Sequence, residues 1–219
     1  MAEPEQGGGT SGPKRSPRGD KAQDILDAAR EEFLARGYAA ARLDDIAARA
    51  GVAKGTLYLY FRGKEDIFQS LVRTTIVPNL AQLEIAAETW EGPVGPLLER
   101  VATRALGVAG NAKLVAIPRL LVAEAKTFPD LAEFYYREVA RRGIGLITKI
   151  IAKGVASGEF RPVEPRHAAR LVIAPFLLHA MWQSMFAEFD DKPVDPAAYA
   201  KTHLDVLLNG LRAETGSAE

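Results

Sequence analysis

The sequence predicts an all-α protein of about nine helices, on three observations. Apolar residues recur every three or four positions through most of the chain, the spacing of one helix face. Prolines stand near the starts of these stretches and glycines just past their ends. No segment alternates apolar and polar residues as a strand would, and the β-branched cluster Ile144 to Ile151 keeps helical spacing.

Residues 1–19, rich in Gly, Pro and Ser, read as a disordered arm. Asp20 opens the first helix, three residues before Gln23 in capping-box spacing. Ile25, Ala29 and Phe33 form its stripe and Gly37 closes it. Two short helices follow, Leu43 to Ala50 and Lys54 to Phe61, joined by a turn that begins at Gly51. A fourth helix spans about Lys64 to Thr89 with a kink near Pro78, a fifth Pro93 to Gly110, and a sixth Ala112 to Lys126 through Pro118. After the turn at 127–130 a long helix runs to about Ser157, with Gly158 as its cap. Pro165 to Phe189 and Pro196 to Arg212 complete the set, and 214–219 read as a disordered tail. The organisation is an arm (1–19), a small helical unit (20–65) and a larger one (66–213).

Composition excludes several classes of function. A chain of 219 residues buries a sizeable core without cross-links, and it has no cysteine for a thiolate metal centre or nucleophile. Three histidines, His167, His179 and His203, leave little for a zinc site, so no metal or cofactor is implied. The longest apolar run, Leu171 to Ala180, falls well short of the roughly 18 residues of a membrane span. The N-terminus lacks the apolar region of a signal peptide, so the expectation is a cytoplasmic protein with no membrane partner. GxSxG, HExxH and GxGxxG are all absent, which makes an enzyme the least favoured reading. The 28 basic and 28 acidic residues cancel overall but are not evenly spread. Between Pro13 and Lys64 there are 11 basic and 7 acidic residues, a net of +4, and the remainder is slightly acidic.

The informative stretch is LDDIAARAGVAKGTLYLYF, residues 43–61. Asp44 and Asp45 suit the first turn of a helix, Ile46 and Ala50 point inward, and Ala47 is small enough for a second helix to cross it. Gly51 turns the chain, Val52 fills the corner, and Leu57 and Phe61 face the core from the second helix. Two short helices so joined form a helix-turn-helix, whose second helix enters the DNA major groove. Its outward residues suit double-stranded DNA. Lys54 brings charge, Gly55 permits close approach, and Thr56 can hydrogen-bond or touch a thymine methyl. Tyr58 and Tyr60 can donate to phosphates, and Lys64 can share a phosphate with the start of the following helix. A helical ligand-binding or scaffold protein without operator binding is the competing reading. In the arm, Lys14, Arg15 and Arg18 suit either a minor-groove contact or a solubilising tail.

Residues 20–68, and above all GYAAARLDDIAARAGVAKGTLYLYFRGKEDIF, resemble the N-terminal domain of the TetR/AcrR family of bacterial transcriptional regulators. The resemblance implies an all-α homodimer, in most cases a repressor that a small-molecule effector releases from its operator. It places DNA contacts on Arg42, Lys54, Gly55, Thr56, Tyr58, Leu59, Tyr60 and Lys64. The chain departs from the family pattern at Arg42 and Ala53, where Thr and Ser caps are common, and at Leu59, where a polar residue or His is frequent. A missing cap costs about 1 kcal/mol, Arg42 can hold a phosphate instead, and Leu59 suits a thymine methyl.

The helix at 165–189 is apolar on more than one side, so one side faces its own core and the other a partner. Leu171, Leu178, Trp182 and Met185, with Leu204, Leu207, Leu208 and Leu211 on the last helix, are the expected dimer interface. Two helices from each protomer would form the four-helix bundle that the resemblance implies. Ile117, Leu121, Tyr135, Val139 and Trp182 are candidate walls of a pocket for an apolar or aromatic effector. Gly143 and Gly145 inside a helix suggest close packing or room for a ligand, and His179 reads as a hydrogen-bonded core residue or a ligand contact.

Overall fold

A computed structural model describes residues 18–110, 117, 118, 120, 121, 124–186 and 188–213. Residues 1–17 of the expected arm, the tail and much of the sixth predicted helix lie outside the described residues, while Arg18 and Gly19 already belong to the first helix. The helices are α1 (Arg18–Ala40), α2 (Leu43–Arg49), α3 (Lys54–Tyr60), α4 (Lys64–Thr75), α5 (Val77–Glu88) and α6 (Val94–Gly110). After helical residues at 117, 118, 120, 121 and 124 come α7 (Pro129–Tyr135), a π-helical turn (Tyr136–Ala140), α8 (Arg141–Ala156), α9 (Pro165–Phe186) and α10 (Pro196–Leu211). The fold is all-α, with one isolated antiparallel bridge, Phe160 to Arg212, among the described residues. No described helix is long and apolar enough to cross a membrane.

Most boundaries follow local chemistry. Gly37, Gly51 and Gly158 take φ of +76°, +66° and +74°, the left-handed region that ends helices with least strain on glycine. Helix α1 is already regular at Arg18, so Asp20 sits in its first turn and is not its cap. The predicted kink near Pro78 is a break. Helices α4 and α5 meet at Ile76, Pro78 has no amide to continue the ladder, and the Asn79 side chain donates to the Thr75 carbonyl at 2.8 Å.

Burial divides the molecule differently from the predicted domains. One apolar cluster joins α1–α4 to Ile117, Leu120, Leu121, Leu131 and Phe134, so the small unit shares its core with part of the larger one. A second cluster packs α5, α6, α8, α9 and α10 around Leu98, Ile151 and Val172. Each such side chain contributes about 1.5–3 kcal/mol.

Helix α9 contains Pro175, which withdraws the amide that would bond the Leu171 carbonyl. Two side chains of α10 bind carbonyls at this irregular turn: Tyr199 donates to Pro175 at 3.4 Å and His203 Nε2 to Val172 at 3.3 Å. Burial holds His203 below its ordinary value of 6.5, against the opposing pull of the Val172 bond. The unfolded chain therefore takes up this proton first as pH falls. The stability this group contributes is full above 6.5 and declines from there toward the lower folded value. Thermal melts should accordingly show acid destabilisation as the pH falls below about 6.5 that is smaller in His203→Gln. An identical pH dependence in the variant would exclude this role.

Candidate nucleic-acid interface

Helices α2 and α3 are held against α1 and α4 by one buried side each. Ile46, Ala47, Leu57 and Phe61 are buried, and the turn between the helices closes through Val52 N–H to Ala47 O at 3.0 Å. The opposite side of α3 carries Lys54, Gly55, Tyr58 and Leu59 in solvent. Leu59, 77% exposed, is the most open large apolar residue of this unit. Gly55 has no protein atom within 4 Å of where a side chain would begin, so nothing in the protein blocks backbone approach there. Thr56 is half-buried, and Tyr60 packs partly against the first core cluster, leaving less of its ring to face DNA.

Both helices start without side-chain caps: Arg42 and Ala53 stand at the N-cap positions in extended conformation. Their orientation is secured from below. Glu32 of α1, 1% exposed, lies 3.1 Å from the Arg36 guanidinium and 3.2 Å from that of Arg49 at the end of α2. Arg36 also reaches Asp45 at 3.1 Å, so one ionic network ties α1 to both ends of α2.

The same pairing disposes of much of the local positive charge. Lys54 meets Asp44 at 2.7 Å, a hydrogen-bonded contact that raises the lysine's pKa and lowers the aspartate's. Arg42 and Arg62 are exposed and carry no ion pair among the described residues.

Lys64 is a correction. Its ammonium donates to the carbonyls of Tyr38, Ala39 and Ala41 at 2.6, 3.0 and 3.1 Å and lies 4.6 Å from the Tyr38 ring centre. With three donors on three carbonyls, it has none left for the phosphate contact expected of it. Burial holds its pKa below the usual lysine range, the nearby Glu124 opposing. Glu124 also accepts the Ala39 amide at 3.2 Å, and Phe128 meets the Tyr38 ring edge-on at 4.9 Å. The end of α1 is thus a joint between the small and large units.

The other expected site residues separate into groups. Leu171, Leu178, Trp182 and Met185 lie exposed along α9. Leu204 and Leu211 are buried in the protomer's own core, and Leu207 and Leu208 pack partly against it. Leu204 and Leu211 therefore serve the protomer's own core, Leu207 and Leu208 keep a partly open side, and the exposed large apolar residue of α10 is Val206. Four of the five expected pocket walls gather at one cluster. Ile117 and Leu121 are in the first core cluster, Tyr135 and Val139 pack against it, and Trp182 stands apart, exposed on α9. Burial alone lifts the Tyr135 hydroxyl to about 12. Among the described residues, a Cβ added at Gly143 or Gly145 would stand in open space.

Comparison with known proteins adds two family matches. Residues 25–71 match the family described as bacterial regulatory proteins, tetR family, and residues 96–208 match the AefR-like transcriptional repressor, C-terminal domain. The fatty acid metabolism regulator protein of Bacillus subtilis is 25% identical over 191 residues, 87% of this chain and 95% of that protein. The fatty acid degradation regulator FadR of Bacillus halodurans superposes with a TM-score of 0.71 at 26% identity, covering 87% of this chain and 99% of that one. A complex of SmeT with triclosan shares the fold, with a TM-score of 0.73 at 22% identity over 90% of this chain and 93% of that one.

Proposed function

The chain belongs to the TetR family of bacterial regulatory proteins, and on that premise we propose how it engages DNA and effector. It is a ligand-responsive DNA-binding regulator of a non-enzymatic family. In the proposed arrangement it acts in the cytoplasm as a two-fold dimer that represses by holding a pseudo-palindromic operator, one α3 helix in each of two major grooves. The observation that carries this reading is the division of α3 into a buried side, Leu57 with Phe61 just beyond it, and an open side of Lys54, Gly55, Tyr58 and Leu59. On this reading Arg42, Lys54 and Tyr58 hold phosphates, while Gly55, Thr56 and Leu59 approach base edges. The exposed apolar stripe on α9 with Val206 of α10 supports dimerisation through these two helices. An apolar or aromatic effector binding the larger unit would release the operator. The core shared with Ile117, Leu120, Leu121, Leu131 and Phe134 and the Ala39–Glu124 hydrogen bond support the coupling.

Selection of bound genomic fragments followed by mobility-shift titration tests the reading. A specific fragment should emerge at moderate salt, and Lys54→Ala should weaken its binding about tenfold. If no fragment is bound specifically, or Lys54→Ala matches the wild type, the proposed interface fails. The Lys54–Asp44 pair supplies a second expectation. Phosphate must compete with Asp44 for the ammonium, so Asp44→Asn should tighten binding about three- to tenfold at low salt, with the gain shrinking as salt rises. Unchanged affinity at every salt concentration would remove that competition from the account.

A further inference from the structure

Two buried side-chain polar atoms have no hydrogen-bond partner among the described residues, His179 Nε2 and Glu32 Oε1. The imidazole rests on the Tyr199 ring, centres 5.0 Å apart. The carboxylate is the costlier of the two to bury, because it takes charge out of water. Its Oε2 accepts Arg49 Nη2 at 3.2 Å, whereas Oε1 lies 3.1 Å from Arg36 Nε without the alignment of a hydrogen bond. The two arginine side chains are 54% and 42% exposed, so water weakens the compensation they give. Stability alone gives little reason for this carboxylate, since an apolar side chain in its place would pay no desolvation.

We propose that Glu32 is a positioning residue for DNA reading, whose carboxylate fixes how α2 and α3 sit on α1. The proposal rests on the reading of α3 as the helix that contacts DNA. Helices α2 and α3 have seven residues each, too short to persist alone, and neither has a side-chain cap. Ile46 and Ala47 are the buried residues of α2 and Leu57 that of α3, a small apolar contact without direction of its own. The ionic contacts supply the direction, at both ends of α2. Glu32 holds Arg49 in the last turn, and Arg36, beside the same carboxylate, reaches Asp45 in the first turn at 3.1 Å. Helix α3 follows α2 through the Val52–Ala47 turn bond and the Asp44–Lys54 pair. A shift of α2 on α1 therefore carries Tyr58 and Leu59 with it. Contacts to base edges need that register, while general attraction to phosphates does not.

Glu32→Leu separates positioning from charge and from packing. The substitution removes an acid and frees two guanidiniums, so electrostatics alone would strengthen DNA binding. Positioning predicts the opposite sign. Affinity for the selected genomic fragment should fall about tenfold, while binding to an unrelated duplex of the same length holds or rises about twofold. The Tm should match the wild type or rise, as when a buried ion pair gives way to an apolar group. Hydrogen exchange at the Val52 amide should nevertheless quicken about tenfold. Adding Arg49→Met should cost no further specific binding, because the carboxylate acts through that guanidinium. Undiminished specific affinity in Glu32→Leu, an equal loss on both duplexes, unchanged exchange at Val52, or a further loss on adding Arg49→Met overturns the proposal. If Glu32→Leu does not fold, Glu32→Gln takes the same tests: it keeps the shape and an acceptor for Arg49, removes the charge, and should lose about threefold in specific affinity. Failure of the wild type to bind any fragment specifically overturns the reading of α3, and exchange at Val52 still decides whether Glu32 seats α2.

Discussion

In the proposed dimer, Leu178→Asp should leave the protein monomeric and lower its affinity for its DNA by about two orders of magnitude or more. Leu178 is 61% exposed and shares a stripe with Leu171, Trp182 and Met185, to which Val206 adds from α10. A carboxylate in the middle of that patch loses its hydration if a second copy covers it, and no cation of the stripe compensates. The protomer's own fold does not use Leu178, so the variant remains folded. Two linked half-sites reinforce one another through effective concentration, and that reinforcement is lost with the dimer. Light scattering at micromolar concentration and a mobility-shift titration check both parts. Leu204→Ala, inside the core, should instead lower the melting temperature and leave the mass of the folded form dimeric. A dimeric Leu178→Asp variant, or a monomeric one with undiminished affinity, contradicts the proposal.

Gly154→Ala is the most damaging small substitution expected in the larger unit. A methyl group there would lie 2.6 Å from Cε2 and 2.9 Å from Cγ of Phe160, a ring that is itself buried. The Phe160 amide donates to the Gly154 carbonyl at 2.9 Å, which holds its backbone beside Gly154, and the crowding reaches Cγ, the ring atom that torsion about the side chain moves least. Its neighbours clasp two helix ends. Glu159 accepts the amides of Val94 and Gly95 at 2.6 Å each, and the Arg161 amide donates to Leu211 at 2.8 Å. Overpacking of this kind costs about 1–3 kcal/mol, or a fall in Tm of about 2–4 °C per kcal/mol for a chain of this size. Combining it with Phe160→Val should recover part of the loss. DNA affinity per folded molecule should hold, because α1 to α3 belong to the other core cluster. An unchanged Tm in Gly154→Ala would show that the corner is looser than its packing indicates.

Local chemistry was legible in the sequence, and distant partners were not. Gly37, Gly51 and Gly158 mark helix ends because a positive φ suits glycine best, and that requirement involves no other part of the chain. The helix-turn-helix was legible because its residues contact one another within 19 positions. Lys64 was misread because its acceptors lie 23 to 26 residues earlier, at the end of α1, and nothing in its own neighbourhood marks them. The Lys54–Asp44 pair could have been anticipated, since one residue opens each helix of a known motif. On α10 the leucine stripe was correct as a stripe but does not say which side it serves, and Leu204 and Leu211 turned inward while Val206 stayed out. Of the pocket candidates, four gather at the first core cluster and Trp182 stands apart, because apolar spacing reports burial and not the neighbour.

The zero net charge follows the same division. Of the +4 carried by residues 13–64, Arg36, Arg49 and Lys54 are paired with carboxylates and Lys64 is bound to carbonyls. DNA affinity in this account therefore rests on a few placed groups repeated in two protomers more than on bulk charge.

A hydroxyl-radical footprint on the selected fragment, read together with the mass of the complex, tests this most directly. The account predicts two protected half-sites related by a two-fold axis, centred about one helical turn or a multiple apart, and at least two protomers per fragment. A single protected half-site with one protomer bound at saturation would contradict it.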